Sequence, residues 1–372
     1  MSRTSCLSFL SVPILAFALS SLAAVSGMPA AAQPPPGEAR LAWVDVHVHP
    51  LGGRTGSADY EGAVEAAAKI MDEAGIEKMV ILPPPQVFGT PPPFDYDDFR
   101  SALKKYSGRF AFLGGGGTLN SMIHRARTVA AVGDDLKQRF EKQANEILQQ
   151  GAAGFGEMAV HHLSFMRGHP YESVPADHPL FLLLADIAAR HDVVIDLHFD
   201  PLTEDIPLPT DDTPRPGKLT SPPNPKVLLA NIAPFERLLA HNRKAKIVWA
   251  HAGSDPIGHW TVELSRRLLQ SHSNLYMSLR MGGGDPRNLV FGPGGVIKPV
   301  WMNLFRDFAD RFVIGNDQFI ASPRIPGGGP GFVFAQNASR LRMRTKDFLS
   351  KLPEDLARKI GQENALLLYK LK

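Results

Sequence analysis

Eight short apolar runs, each followed by a stretch with helical spacing, order the chain from residue 42 onward and leave few folds open. The strand-like runs are Ala42–His49, Lys78–Leu82, Arg109–Gly114, Ala153–Ala159, Val193–His198, Lys246–His251, Leu275–Leu279 and Arg311–Ile314. The spacing predicts helices over Tyr60–Ala74, Asp97–Tyr106, Asp134–Gln150, Pro179–Arg190, Val227–Asn242, Thr261–Ser271 and Val300–Asp310, with Ala335–Leu349 and Pro353–Tyr369 closing the chain. Parallel strands need a crossover between them, so this alternation predicts a parallel sheet covered by helices. Eight units predict an α/β fold of the (β/α)8 TIM barrel type, distorted, with long loops at the C-terminal face of the strands. A doubly wound open sheet is the structural alternative, but the glycines at 114–117 lack the spaced G-x-G-x-x-G pattern and a helix start.

The N-terminal residues fall outside this pattern. Arg3, an apolar stretch from Leu7 to Val25 and the small residues Ala30 to Ala32 before Gln33-Pro34-Pro35-Pro36 read as a secretory signal peptide cleaved near Ala32. The expected organisation is a signal peptide over 1–32 and a single barrel domain over 33–372, in an exported protein, periplasmic or secreted, with no stable membrane anchor after cleavage. Cys6 is the one cysteine and lies in the segment to be removed, so the mature chain has no disulfide and no sulfur ligand for a metal. Forty Lys and Arg balance thirty-seven Asp and Glu without a long single-sign run, so no nucleic-acid partner is expected. A small-molecule substrate is the expected partner, and a homo-oligomer is left open.

Chemistry concentrates where the strand-like runs end. The first ends Asp45-Val46-His47-Val48-His49, and period-two geometry sends Asp45, His47 and His49 to one face and the valines to the other. Later runs end on Glu157, His198, His251 and, three residues past Ile314, Asp317. In a barrel these six residues converge at one mouth, where nitrogen and carboxylate donors can hold a divalent ion.

The ordered set DVHVH (Asp45–His49), Gly156-Glu157, DLH (Asp196–His198), WAHAG (Trp249–Gly253) and IGND (Ile314–Asp317), with the terminal IGQENALLLY (Ile360–Tyr369), resembles the amidohydrolase superfamily, and within it the amidohydrolase-related branch of metal-dependent hydrolases. The resemblance implies that His47, His49, His198 and His251 are metal ligands and that Asp317 both touches the metal and moves the proton. It implies one or two divalent ions, zinc by default with manganese or iron as alternatives. Glu157 resembles the bridging glutamate of some binuclear members. On that reading one ion takes His47, His49, Glu157 and Asp317 and the other takes Glu157, His198 and His251. On a mononuclear reading His198 completes the first site and His251 contacts substrate or nucleophile. Asp45 and Asp196 are candidates to orient histidines.

Three further residues are substrate-binding candidates: Arg280, ending the seventh run, as a clamp for an anionic group; His259, in the loop after His251; and His162, since adjacent His161 and His162 point opposite ways. The apolar loop residues Phe88, Phe94, Phe291 and Trp301 are candidates to line a pocket for an aromatic acid. His124, His169, His178, His191, His241 and His272 are expected at the surface. The function expected is hydrolysis of an amide, ester, lactone or related bond. A decarboxylase of the same branch is the alternative, and a non-catalytic exported binding protein is the second alternative.

Overall fold

The computed structural model describes residues 41–52, 58–86, 94–165, 169–209, 224–325 and 330–372. The expected signal segment, Phe88 and the middle of the Pro-rich run at 201–225 lie outside the described residues. Among the described residues no helix is long and apolar enough to cross a membrane.

The main strands are β1 (Trp43–Leu51), β2 (Ile76–Ile81), β3 (Phe110–Phe112, resuming at Gly114–Gly115), β4 (Gly154–His162), β5 (Val194–Phe199), β6 (Lys246–Ala252), β7 (Leu275–Leu279), β8 (Phe312–Ile314) and β9 (Gln318–Ala321). All pair in parallel with their neighbours, which bears out the parallel α/β reading. Among the described residues the strand pairing shows no single closed sheet. One sheet runs β9-β1-β2-β3 and the other runs from the second half of β3 through β4, β5, β6 and β7 to β8. The breaks are local. The third strand is interrupted at Leu113, and Asp317 (φ 54°) lies between β8, which pairs with β7, and β9, which pairs with β1.

Helices α1 (Tyr60–Ala74), α2 (Tyr96–Leu103), α3 (Leu119–Arg125), α4 (Asp134–Gln149), α5 (Pro179–His191), α6 (Ile232–His241), α7 (Val262–Ser271), α8 (Pro299–Asp307) and α9 (Pro330–Lys351) alternate with the strands. Their starts follow capping chemistry: Thr261 accepts from the Leu264 N–H, and Asp95 and Asp98 form a capping box at α2. Pro353 ends α9, and the single helix expected over 353–369 is interrupted by a π turn at Lys359–Glu363. Helix α3 was not expected, because seven residues after a glycine run show too little periodicity to register.

Two apolar layers hold these elements. Outward-facing strand residues such as Met79, Phe155, Leu197, Trp249 and Met277 pack with the helices. Val44, Val46, Val80, Val194, Val248 and Val313 form an inner layer with Leu368 and Tyr369 of the C-terminal segment. Val48 packs in the outer layer instead. The β1–β2 register shifts between Asp45 and Val48, so a bulge breaks the simple alternation that placed all three valines opposite the histidines.

Candidate metal centre

His49, His198 and His251 lie within two residues of a strand's C-terminal end and Asp317 three residues beyond one, whereas His47 and Glu157 lie in the middle of β1 and β4; five of the six are buried. His47 Nε2 and His49 Nε2 stand 3.1 Å apart. His47 Nδ1 faces Asp196 Oδ2 at 3.3 Å, and His49 Nδ1 faces the Leu82 carbonyl oxygen at 2.9 Å. A carbonyl can only accept, so His49 carries its proton on Nδ1, and Asp196 selects the same tautomer for His47. Both Nε2 atoms then present lone pairs to one another, an arrangement that calls for a cation between them.

Glu157 sits between two pairs of histidines. Its Oε2 lies 3.4 Å from His47 Nε2 and 3.3 Å from His49 Nε2, whereas Oε1 lies 2.9 Å from His198 Nδ1 and 3.0 Å from His251 Nε2. His198 Nδ1 and His251 Nε2 are 3.1 Å apart. Asp317 Oδ1 comes within 3.4 Å of His49 Nε2. The donor atoms of His47, Glu157 and His251, and separately those of His47, His49 and Asp317, lie within 4.8 Å of one another. This buried nitrogen and carboxylate set fits a divalent ion and lacks any thiolate. His251 (φ 73°) and Asp317 (φ 54°) both adopt left-handed backbone that non-glycine residues avoid, as residues at functional sites often do.

The electrostatics match the geometry. Burial opposes charge on His47, but Asp196 and Glu157 outweigh it and hold its pKa well above the usual imidazole range. His198 is pushed up to about 10 against its burial by Asp200 and Glu157. Burial would raise Glu157, yet His47 and the hydrogen bonds from His198 and His251 hold it well below the carboxylate range. Asp317 is likewise held low against burial by His251, Arg280 and His49. His47, His49 and His198 are thus drawn toward the charged form while burial holds His251 below the usual imidazole range, and the carboxylates that favour charge on the first three suit a cation.

Other predicted residues divide. His162 packs its ring against His198 with centroids 4.2 Å apart and stays neutral through burial and the neighbouring His198 charge. Its neighbour His161 directs Nδ1 to the Asp200 carbonyl oxygen at 2.8 Å. Arg280 Nε lies 3.1 Å from Asp317 Oδ2, and its Nη1 donates to Ser254 Oγ at 2.8 Å, so the guanidinium is already engaged. His259 Nδ1 is taken up by Thr203, 2.8 Å from its Oγ1. Asp196 serves His47 on β1, not His198 on its own strand. Asp45 touches no imidazole nitrogen and binds Asn316 and Gln318.

Several expectations are corrected. His169, His178 and His272 are buried, not exposed. A neutral imidazole offers one donor and one acceptor, and His178 uses both, donating to the Ala126 carbonyl and accepting from the Leu180 N–H. Phe94 packs on Tyr60, Phe291 on Phe348, and Trp301 is fully buried with Nε1 bonded to the Asn288 carbonyl, so these rings belong to packing. Sequence reasoning missed Phe319, 4.6 Å from the His49 ring, and Asp200, whose Oδ2 lies 3.4 Å from His198 Nε2. The latter left a readable mark: a carboxylate two residues beyond a strand-end histidine.

No curated protein matches the chain. Among solved structures it is similar to a 2,6-dihydroxybenzoate decarboxylase complexed with 2,6-dihydroxybenzoate, at 15% identity and a TM-score of 0.46, covering 89% of this chain and 99% of that one. It is also similar to a dihydroxybenzoic acid decarboxylase from Polaromonas sp. JS666 with bound manganese and the inhibitor 2-nitroresorcinol, at 14% identity and a TM-score of 0.41, covering 89% and 97%. A third, amidohydrolase 2 from Bifidobacterium longum subsp. infantis, stands at 10% identity and a TM-score of 0.42, covering 89% and 100%. Residues 123–371 match the family model described as amidohydrolase, a span that holds Glu157, His198, His251 and Asp317 and begins after His47 and His49. With well over half of its length matched, the chain belongs to the amidohydrolase family.

Proposed function

We propose that this protein is a metal-dependent hydrolase that cleaves an amide, ester, lactone or related bond of a small molecule. The observation that carries the reading is the pair of Nε2 lone pairs on His47 and His49, 3.1 Å apart and facing Glu157 Oε2. His47, His49, Glu157 and Asp317 would hold one ion, and Glu157, His198 and His251 a second. The split of the Glu157 oxygens between two histidine pairs favours two ions over one. Zinc is the default, with manganese or iron as alternatives. A divalent ion supplies Lewis acidity, lowering the pKa of water and polarising the oxygen of the scissile group.

The protein's own groups would do the rest. Asp317, kept ionised by His251, Arg280 and His49, accepts the proton of the attacking water and returns it to the leaving group. Its side chain is 20% exposed, against 10% or less for His251, His198, Glu157, His47 and His49, so it is the member of the set best reached by substrate. Arg280 steadies that carboxylate through Nε, 3.1 Å from Oδ2. His162 lines the His198 side of the site. The reading includes export after removal of residues 1–32.

Elemental analysis of the purified protein beside a His49→Ala variant tests the metal centre: about two equivalents in the parent and a loss in the variant are expected. A panel of amides, esters and lactones tests the reaction, and carbon dioxide release from aromatic acids without hydrolysis would assign decarboxylation instead. N-terminal sequencing of secreted protein tests processing near Ala32.

A further inference from the structure

Asp45 is wholly buried, yet it makes no contact with a histidine ring. Its Oδ1 accepts from the Asn316 backbone N–H at 3.0 Å and from the His47 N–H at 3.3 Å. Its Oδ2 accepts from Asn316 Nδ2 at 3.0 Å and from Gln318 Nε2. The two residues it holds are those on either side of Asp317. Both are themselves buried and tied onward to α9: Thr345 Oγ1 donates to Asn316 Oδ1 at 2.6 Å, and Arg342 Nη1 donates to Gln318 Oε1 at 2.6 Å.

Asp317 itself needs such support. Its φ of 54° is a conformation that an aspartate adopts at a cost on the order of 1 kcal/mol, and it sits where the strand hydrogen bonding passes from β7 to β1. A free loop there would relax to ordinary φ and swing the carboxylate away from His49 and Arg280. Fixing the backbone on both sides removes that route.

We infer that Asp45 is a positioning residue for Asp317, acting through a buried clamp of Asn316 and Gln318 that is braced by Thr345 and Arg342 of α9. The inference rests on the reading of Asp317 as a metal ligand. It assigns the aspartate of DVHVH to the eighth strand's carboxylate and not to the histidines that follow it in sequence.

The test is the affinity of the purified, metal-stripped full chain for Zn²⁺, measured by competition with a chromophoric chelator, with thermal melts alongside. In Asp45→Asn the amide keeps one acceptor for the two backbone N–H groups but turns an NH2 toward the Asn316 and Gln318 donors. Its affinity is expected to fall roughly 10- to 100-fold, the range for groups that orient ligands. The decisive comparison is with Asp317→Ala: adding Asp45→Asn to that background should cost no more than about threefold further, because the clamp has nothing left to aim. Gln318→Ala and Thr345→Val, which loosen the clamp from outside, should give smaller losses that also vanish in the Asp317→Ala background. Should Asp45→Asn fail to fold, these two variants decide the matter.

An unchanged affinity in Asp45→Asn overturns the inference, as does a loss of equal size in the Asp317→Ala background. A loss that survives there and vanishes with His47→Ala would reassign Asp45 to His47 and overturn it as well. If Asp317→Ala alone leaves affinity intact, the ligand reading of Asp317 fails first and the inference falls with it, an outcome distinct from the others.

Discussion

Asp196 and His47 meet between the two sheets, with the carboxylate Oδ2 3.3 Å from Nδ1 of an imidazole 149 positions earlier in the sequence. The contact turns His47 Nε2 toward His49 and Glu157. It also connects β5 and β1, which are not neighbours in either sheet, so the metal centre is aligned by a bond between side chains and not by backbone pairing alone.

Replacing that carboxylate should therefore be felt at the ion before it is felt in the fold. Asp196→Asn keeps an acceptor for the His47 N–H but removes its charge, and about a 10-fold loss of metal affinity is expected. Asp196→Ala removes the acceptor and should cost up to about 100-fold. Chelator competition at neutral pH measures both, and equal affinities in all three proteins would show that Asp196 does not set the tautomer.

Metal removal should lower stability. The cluster gathers four imidazoles around Glu157 within hydrogen-bonding range, and without an ion it is balanced only by protons. An ion that binds the folded chain alone contributes about 2.7 kcal/mol at a hundredfold excess over Kd, worth roughly 3–4 °C in a chain of this size. Calorimetry with and without a chelator reads the shift directly, and readdition of Zn²⁺ should restore it.

The ligands were legible because histidines and carboxylates recur at or near the ends of successive apolar runs, and parallel strands bring such ends to a common level. What escaped was set by irregular backbone or by partners distant in sequence. Asp45 is engaged by Asn316 and Gln318, partners 271 and 273 positions away, which no periodicity records. The Arg280 link to Asp317 depends on the left-handed residue beyond β8, which the tetrapeptide Ile314–Asp317 does not disclose. Phe291 and Trp301 looked like loop aromatics only because loop and core share the same residue types; Trp301 is a buried residue of α8 packed on Phe305, and the partly buried Phe291 packs on Phe348 of α9. His178 was expected at the surface because its carbonyl partner, Ala126, lies 52 positions away.

Glu172 predicts a pH effect on stability separate from the metal. It is almost fully buried, its Oε2 accepts from Asn120 Nδ2 at 3.2 Å, and Oε1 has no hydrogen-bond partner. Burial pushes its pKa up from 4.5 to about 7, with Asn120 and His198 opposing. The folded state therefore holds a proton that the unfolded chain has released, and stability falls as pH rises from about 4.5 to about 7 and then levels. The amount is on the order of 3 kcal/mol. Glu172→Gln keeps the acceptor and has no charge to desolvate, so its urea midpoint should vary less between about pH 5 and pH 8 and exceed the parent's at the upper end. Parallel pH profiles for the two proteins would sink this assignment.

Gly315 offers a way to move a ligand without touching its chemistry. It follows β8, where its N–H bonds the Leu279 carbonyl at 3.0 Å, and a Cβ there would lie 2.8 Å from both Cβ and Oγ of Ser278 and 3.0 Å from Cβ of His47. Neither neighbour can retreat easily, since Ser278 is buried in β7 and His47 in β1. Gly315→Ala should thus force β8 away from β1 or push His47 off its line to Glu157, at an overpacking cost of about 1–3 kcal/mol. The expected signature is a double loss: a lower urea midpoint without metal and, beyond it, a metal affinity reduced at least tenfold. A Ser278→Ala change in the same protein removes Oγ, one of the two 2.8 Å contacts on that side, and should recover part of the stability while leaving the Cβ and His47 contacts, so affinity would lag behind. Stability and affinity that recover together would instead place the whole effect in β7.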